Sequence, residues 1–198
     1  MTNRRGSAER TTKETEIFVS LALDGSGQCD NATGIPFFDH MLDQLGRHGG
    51  FDLSIQATGD LHVDTHHTIE DVGITLGECF LEALGDKAGI ARFSSRTIPL
   101  DEAAIAVALD LSGRPFLFFG LEFAPDTPGL GEPAFDPQLT EEFFRAFATA
   151  AGITLHVDKV RGRNTHHLVE ATFKCVARCL RDAVTVVGGG IPSTKGAL

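Results

Sequence analysis

The chain contains no tryptophan and no tyrosine, and only two of its 198 residues are methionine. Aromatic packing therefore falls to its 15 phenylalanines, which carry no polar atom that needs a partner when buried. No apolar run approaches the roughly 18–20 residues of a membrane span, and the N-terminus is polar and charged, without the apolar stretch of a secretory leader. The expectation is a soluble cytoplasmic protein with no membrane partner. Basic residues are also scarce: 17 Lys and Arg stand against 27 Asp and Glu, a formal net charge of −10. That balance argues against nucleic acid as a partner, and any anionic substrate must be held by a few locally placed Arg or Lys side chains. Cysteine is sparse as well. Cys29, Cys79, Cys175 and Cys179 form neither a CxxC pair nor a disulfide framework, and they read as small buried thiols.

What the chain does have is one motif twice: Thr65-His66-His67-Thr68-Ile69-Glu70 and Thr165-His166-His167-Leu168-Val169-Glu170. A single His-His pair is ordinarily a surface feature. Two copies at matching places, each with a glutamate four residues after the first histidine, form a metal-ligand pattern that suits Mn, Fe, Zn, Cu or Ni.

The duplication extends around the motif. Leu21-Ala22-Leu23-Asp24-Gly25-Ser26-Gly27 matches Val107-Ala108-Leu109-Asp110-Leu111-Ser112-Gly113, each ending an alternating run at a glycine-containing turn. Phe38, Met41, Leu42 and Leu45 have helical spacing, as do Phe143, Phe144, Phe147 and Ala151. Gly50 and Gly152 each end a helix and open a strand, and each strand leads to a Thr-His-His motif that starts a long amphipathic helix. Thr65 and Thr165 are the expected N-caps. The pattern predicts an α+β protein with a duplicated β-β-α-β-β-α module, each sheet packing on helices from both halves. Residues 1–13 read as a flexible N-terminal segment, 14–95 and 96–187 as the repeats, and 188–198 as a loop-like tail. The Pro- and Gly-rich stretch 122–138 is the long loop that sets the second copy apart.

Helix geometry constrains the ligands. Residues i and i+4 share a face, so His66 can share an ion with Glu70, and His166 with Glu170. His67 and His167 project about 100° away and should serve a different ion. The simplest scheme has two ions, each held by the His/Glu pair of one repeat and the second histidine of the other. His40 and Glu142 stand at equivalent repeat positions and are the natural extra ligands. His62, Asp64 and Asp71 are alternatives nearby; Asp71 has no counterpart, since Ala171 stands there. Gln44 and His48 share the His40 helix face, Arg92 and Arg114 are either surface arginines or phosphate contacts, and Lys174 is placed to pair with Glu170.

Phe-Phe-Asp-His-Met-Leu at 37–42, His-His-Thr-Ile-Glu-Asp at 66–71, His-His-Leu-Val-Glu-Ala-Thr-Phe-Lys at 166–174 and Pro-Ser-Thr-Lys-Gly at 192–196 resemble the imidazoleglycerol-phosphate dehydratase family. The resemblance spans nearly the whole chain from about Arg10. It implies a ribosomal-protein-S5-domain-2-like duplicated fold with sheets on a central helix layer. It also implies a hydro-lyase of histidine biosynthesis that uses two Mn²⁺ per active site, and self-association into shells of 24 subunits with sites between protomers. Carried over by position, the metal ligands fall on His40, His66, His67, Glu70, His166, His167 and Glu170. Contacts to a small phosphorylated substrate fall on Glu14, His40, Gln44, His48, Arg92, Arg114, Lys174, Ser193, Thr194 and Lys195. One position departs: many members carry histidine where this chain has Glu142, and a carboxylate there suits a hard ion.

The implied reaction removes the hydroxyl next to the imidazole ring of D-erythro-imidazole glycerol phosphate and a proton from the neighbouring carbon. The resemblance points to Glu14 as the base, with Glu70 and Glu170 holding the metals. Two other classes fit the ligand pattern less completely. A di-metal phosphohydrolase would carry more aspartates and a bridging carboxylate, and a structural metal protein would need no phosphate-gripping residues.

Overall fold

A computed structural model describes residues 4–196. The first half runs β1 (Arg5–Thr11), β2 (Thr15–Ala22), β3 (Cys29–Ala32), α1 (Pro36–Gly49), β4 (Asp52–Gly59) and α2 (His66–Leu84). The second half repeats it: β5 (Phe93–Leu100), β6 (Ala103–Asp110), β7 (Phe116–Gly120), α3 (Leu139–Ala151), β8 (Thr154–Arg161) and α4 (Thr165–Ala183). Each half holds four strands and two helices, with its third strand placed before the first helix. The sheets have matching orders, β1-β2-β4-β3 and β5-β6-β8-β7. In each, the fourth strand pairs antiparallel with the second and parallel with the third.

Strand alternation explains the inner faces. Ile17, Val19 and Leu21 of β2 are buried, as are Ile105, Val107 and Leu109 of β6, while Glu16 and Phe18 point outward. Gly50 and Gly152 end α1 and α3 at φ 68° and 66°, a left-handed turn open to glycine at no steric cost. Residues 5–11, expected to be mobile, instead form β1, paired along its length with β2. Its inner face carries Gly6 and Ala8 rather than large apolar residues, so period-2 hydrophobicity gives no signal there. Small size is the requirement: a Cβ on Gly6 would lie 2.2 Å from the Cys79 carbonyl oxygen of α2.

The helices lie between the sheets. Helices α1 and α2 cover the first sheet, α3 and α4 cover the second, and the halves meet where α2 packs on α3 and α1 on α4. The expectation that each sheet packs on helices from both halves is thus corrected: each sheet packs chiefly on its own helices, and the halves join helix to helix. Each helix pair covers the inner face of the sheet formed by the same chain segment, which leaves the opposite helix faces for the partner half. Phenylalanine fills the junction. Phe143 stacks on Phe173 at 5.2 Å and meets Phe38 edge-on at 5.3 Å, with all three fully buried. The long loop closes over this core through the buried Phe135, whose ring lies 5.3 Å from Phe37.

Two glycines set the α2–α3 distance. A Cβ on Gly77 would stand 2.6 Å from the Ala150 Cβ and 2.7 Å from the Phe147 carbonyl oxygen; on Gly73 it would stand 2.8 Å from the Phe143 carbonyl oxygen. The helix gains less than about 1 kcal/mol in propensity when glycine is replaced, whereas overpacking costs about 1–3 kcal/mol. Gly77→Val should therefore lower stability by about 2–3 kcal/mol. Denaturant unfolding in chelator measures this, and an unchanged midpoint would mean that the helices yield freely.

Candidate metal centre

Both histidine motifs sit at helix starts. Asp64 Oδ1 accepts the His66 N–H at 2.8 Å, and the Thr65 hydroxyl donates to the Ala134 carbonyl at 3.1 Å, tying α2 to the long loop. Thr65 is the N-cap by position but not by side chain. In α4 the cap is Asn164, not Thr165: Asn164 Oδ1 accepts the His167 N–H at 3.2 Å, and Thr165 is already the first helical residue. Asparagine is at least as effective as threonine in that role.

Packing of α1 on α4 brings one ligand set together within the chain. Single ligand atoms of His40, His166 and Glu170 all lie within 4.8 Å of one another. His166 Nε2 is 2.9 Å and His40 Nε2 3.7 Å from Glu170 Oε2, while Lys174 Nζ holds the other oxygen at 2.5 Å. Burial alone would raise the Glu170 carboxyl, but hydrogen bonds from Lys174 and His166 outweigh it and hold the group below its ordinary value. The Phe37 ring packs edge-on against His166 at 5.3 Å. Along α1 the polar line continues: Gln44 Nε2 is 3.5 Å from His40 Nδ1, and Gln44 Oε1 is 3.1 Å from His48 Nε2. Burial, with the Lys174 and Arg178 cations, pushes His48 below its usual value, so its neutral form is favoured. Two imidazoles and one carboxylate converging this closely fit a divalent ion that accepts nitrogen and oxygen ligands.

The equivalent set is looser. His66 Nε2 lies 3.7 Å from Glu70 Oε2, and His66 shares a cavity of about 400 Å³ with Glu142. Glu142 is turned toward Arg145, with Oε2 3.6 Å from Nε, and the three side chains do not converge as their counterparts do. The second histidines diverge as helix geometry requires. His67 Nδ1 meets Asp60 at 3.0 Å with Glu14 Oε2 at 3.9 Å, and His167 Nδ1 meets Glu102 Oε2 at 2.7 Å. Within the chain neither lies with a His/Glu pair of the other repeat. There the α1–α4 contact brings His40 to Glu170 instead. Asp71 is structural: its carboxylate takes Arg10 Nε at 2.8 Å and the Thr15 hydroxyl at 2.6 Å.

The candidate phosphate contacts gather around Asp110. Arg92 is bidentate to it, Nε to Oδ1 at 2.7 Å and Nη2 to Oδ2 at 3.1 Å, and its Nη1 donates to the Pro192 carbonyl at 2.7 Å. Arg114 Nη2 is 3.8 Å from Asp110 and remains mostly exposed. Thus Arg92 carries the tail that bears Ser193, Thr194 and Lys195, and Arg114 offers an open guanidinium beside it. Asp60, Glu102 and Asn164 were not legible as site residues. The one available signal was that Glu14 and Glu102 each stand immediately before the second strand of a repeat.

Fold and site together define a class: a duplicated α+β protein whose long helices present histidine–carboxylate groups suited to a divalent ion. Residues 33–180 match the family model for imidazoleglycerol-phosphate dehydratase. The imidazoleglycerol-phosphate dehydratase of Ruegeria pomeroyi is 54% identical over 198 residues, covering 98% of this chain and all of that protein. That of Caldicellulosiruptor saccharolyticus is 52% identical over the full length of both. Among solved structures, the Staphylococcus aureus enzyme superposes with a TM-score of 0.81 at 38% identity, over 92% of this chain and 99% of that one. The Pyrococcus furiosus enzyme, solved in complex with (S)-C348, gives 0.79 at 34% identity, over 96% and 99%. The chain belongs to the imidazoleglycerol-phosphate dehydratase family.

Proposed function

We propose that this chain converts D-erythro-imidazole glycerol phosphate to imidazole acetol phosphate by loss of water, in cytoplasmic histidine biosynthesis, with two Mn²⁺ per active site. The observation that carries the reading is the convergence of His40, His166 and Glu170 in a chain that matches dehydratases along its whole length. His66, His67, Glu70, Glu142 and His167 complete the ligand list, with Glu70 and Glu170 as the carboxylate ligands. A bound divalent ion would act as a Lewis acid toward the imidazole ring and favour its deprotonated form.

The chain's own residues do the rest. Arg114, Lys195 and the Ser193 and Thr194 hydroxyls grip the phosphate, with Arg92 bracing the tail. This fixes the reacting carbons in one register. Gln44 and His48 extend the polar line from His40, and Lys174 keeps Glu170 ionised and oriented. Glu14 is exposed beside His67 and takes the proton from the carbon next to the one that loses hydroxyl. The resulting enol ketonises to the product. The outward-facing His67 and His167 support active sites completed between copies of the chain, in a large assembly of 24 subunits.

After chelation, turnover of imidazole glycerol phosphate should disappear and return with Mn²⁺, read as ketone product. Release of inorganic phosphate instead would favour a phosphohydrolase. No turnover with the metal restored would favour a structural metal protein.

A further inference from the structure

The two repeats place a glutamate at the same point, Glu14 immediately before β2 and Glu102 immediately before β6, each beside the second histidine of its own half. Their surroundings differ. Glu102 Oε1 accepts the backbone N–H groups of Asn164 at 2.8 Å and Arg163 at 3.2 Å, and Oε2 lies 2.7 Å from His167 Nδ1. Both oxygens of that carboxylate are engaged, and it is tied both to the start of α4 and to the ring. In the first repeat the ring contact belongs to Asp60, whose oxygens lie 3.0 and 3.2 Å from His67 Nδ1. Asp60 is held in turn by its own N–H, which donates to the Glu14 carbonyl at 3.0 Å. The Glu14 side chain is left 3.9 Å from the ring and half exposed.

We propose that Glu102 and Asp60 are positioning residues that hold His167 and His67 in the tautomer with the proton on Nδ1, and that Asp60 thereby releases Glu14 from the role its repeat counterpart performs. An ionised carboxylate can only accept, so the ring donates from Nδ1, and in the neutral ring this leaves the Nε2 lone pair free for an ion. On the far side, His167 Nε2 lies 3.7 Å from the exposed Asp101. A duplicated carboxylate position has thus divided its labour: one copy orients a ligand, and the other is free to react. The inference rests on the proposed role of these histidines as metal ligands.

Glu102→Gln tests it. The glutamine oxygen can keep both backbone amides, but its NH₂ then faces Nδ1, where it can only donate. The ring is driven to the opposite tautomer, with its proton on Nε2 where the ion should bind. Equilibrium dialysis of Mn²⁺ against the purified assembled protein should show binding weakened about 10- to 100-fold, the range for lost outer partners of metal ligands. Glu102→Ala removes the acceptor without imposing a tautomer. It should therefore bind Mn²⁺ more tightly than Glu102→Gln while melting at a lower temperature in chelator, because the two α4 amides lose their partner. A purely structural role predicts the reverse order for binding. Asp60→Asn, whose amide oxygen no backbone N–H claims, can keep accepting from Nδ1 and should weaken Mn²⁺ binding less than Glu102→Gln does, and Glu14→Gln should leave Mn²⁺ affinity within twofold of wild type. His167→Ala separates the layers of the argument. If it loses Mn²⁺ while Glu102→Gln binds as wild type, the positioning role is overturned and the ligand reading stands. If His167→Ala retains all its Mn²⁺, both are overturned.

Discussion

Glu14→Gln is expected to lower kcat about 100- to 10,000-fold, the usual contribution of a positioned general base, with KM and metal content close to wild type. The structure gives a reason for this clean separation. Glu14 is a neighbour of His67 at 3.9 Å but not its hydrogen-bond partner, because Asp60 occupies that place at 3.0 Å. The substitution is nearly isosteric and leaves the Glu14 backbone bond to Asp60 intact, so the first histidine motif keeps its pose. What it removes is a half-exposed carboxylate able to accept a proton, at the start of β2 and beside a candidate ligand. Steady-state kinetics with parallel metal analysis provides the measurement. A kcat within tenfold of wild type would remove Glu14 as the base. A parallel fall in metal content would instead make it a support for His67.

Much of this arrangement was legible in the chain because it is local. The i, i+4 spacing put His66 with Glu70 and His166 with Glu170, and in the structure these pairs do share faces at 3.7 and 2.9 Å. The left-handed glycines at 50 and 152 ended their helices where the pattern placed them. What escaped the reading depended on tertiary approach. β1 is recognised by the small residues that let it lie against α2, not by apolar alternation, so Gly6 and Ala8 looked like loop. His40 meets Glu170 only because α1 packs on α4, a contact between residues far apart in sequence. Asp60 and Glu102 reach their histidines across a strand end and a helix start, and no helical or strand period links those positions. Thr165 looked like a cap because Ser, Thr, Asp and Asn are interchangeable at that position in sequence; the chain enters the helix one residue earlier and uses Asn164.

The unequal state of the two ligand sets leads to the second large effect. His166→Ala should abolish the tighter phase of Mn²⁺ binding and lower turnover more than about 100-fold, beyond what loss of an outer partner produces. His66→Ala should remove only the weaker phase. The first set is already assembled: Glu170 is largely buried, His166 and His40 lie 2.9 and 3.7 Å from one of its oxygens, and Lys174 pins the other. Little side-chain freedom remains to be lost when an ion binds, and preorganisation of this kind raises affinity by reducing the ordering cost. The second set must still be gathered. Glu70 is half exposed and 3.7 Å from His66, and Glu142 must leave Arg145, 3.6 Å away, before it can turn toward an ion. Lys174 works against this ranking, because its ammonium repels a cation. Its charge is nonetheless spent on Glu170 Oε1, which leaves Oε2 directed at the histidines. Preorganisation is therefore expected to outweigh that repulsion. Mn²⁺ titration of the two variants, followed by the electron paramagnetic resonance signal of the free ion, reads both phases directly. A loss of the weaker phase in His166→Ala and of the tighter one in His66→Ala would reverse the ranking and show that the geometry of one chain does not govern which ion is held more firmly.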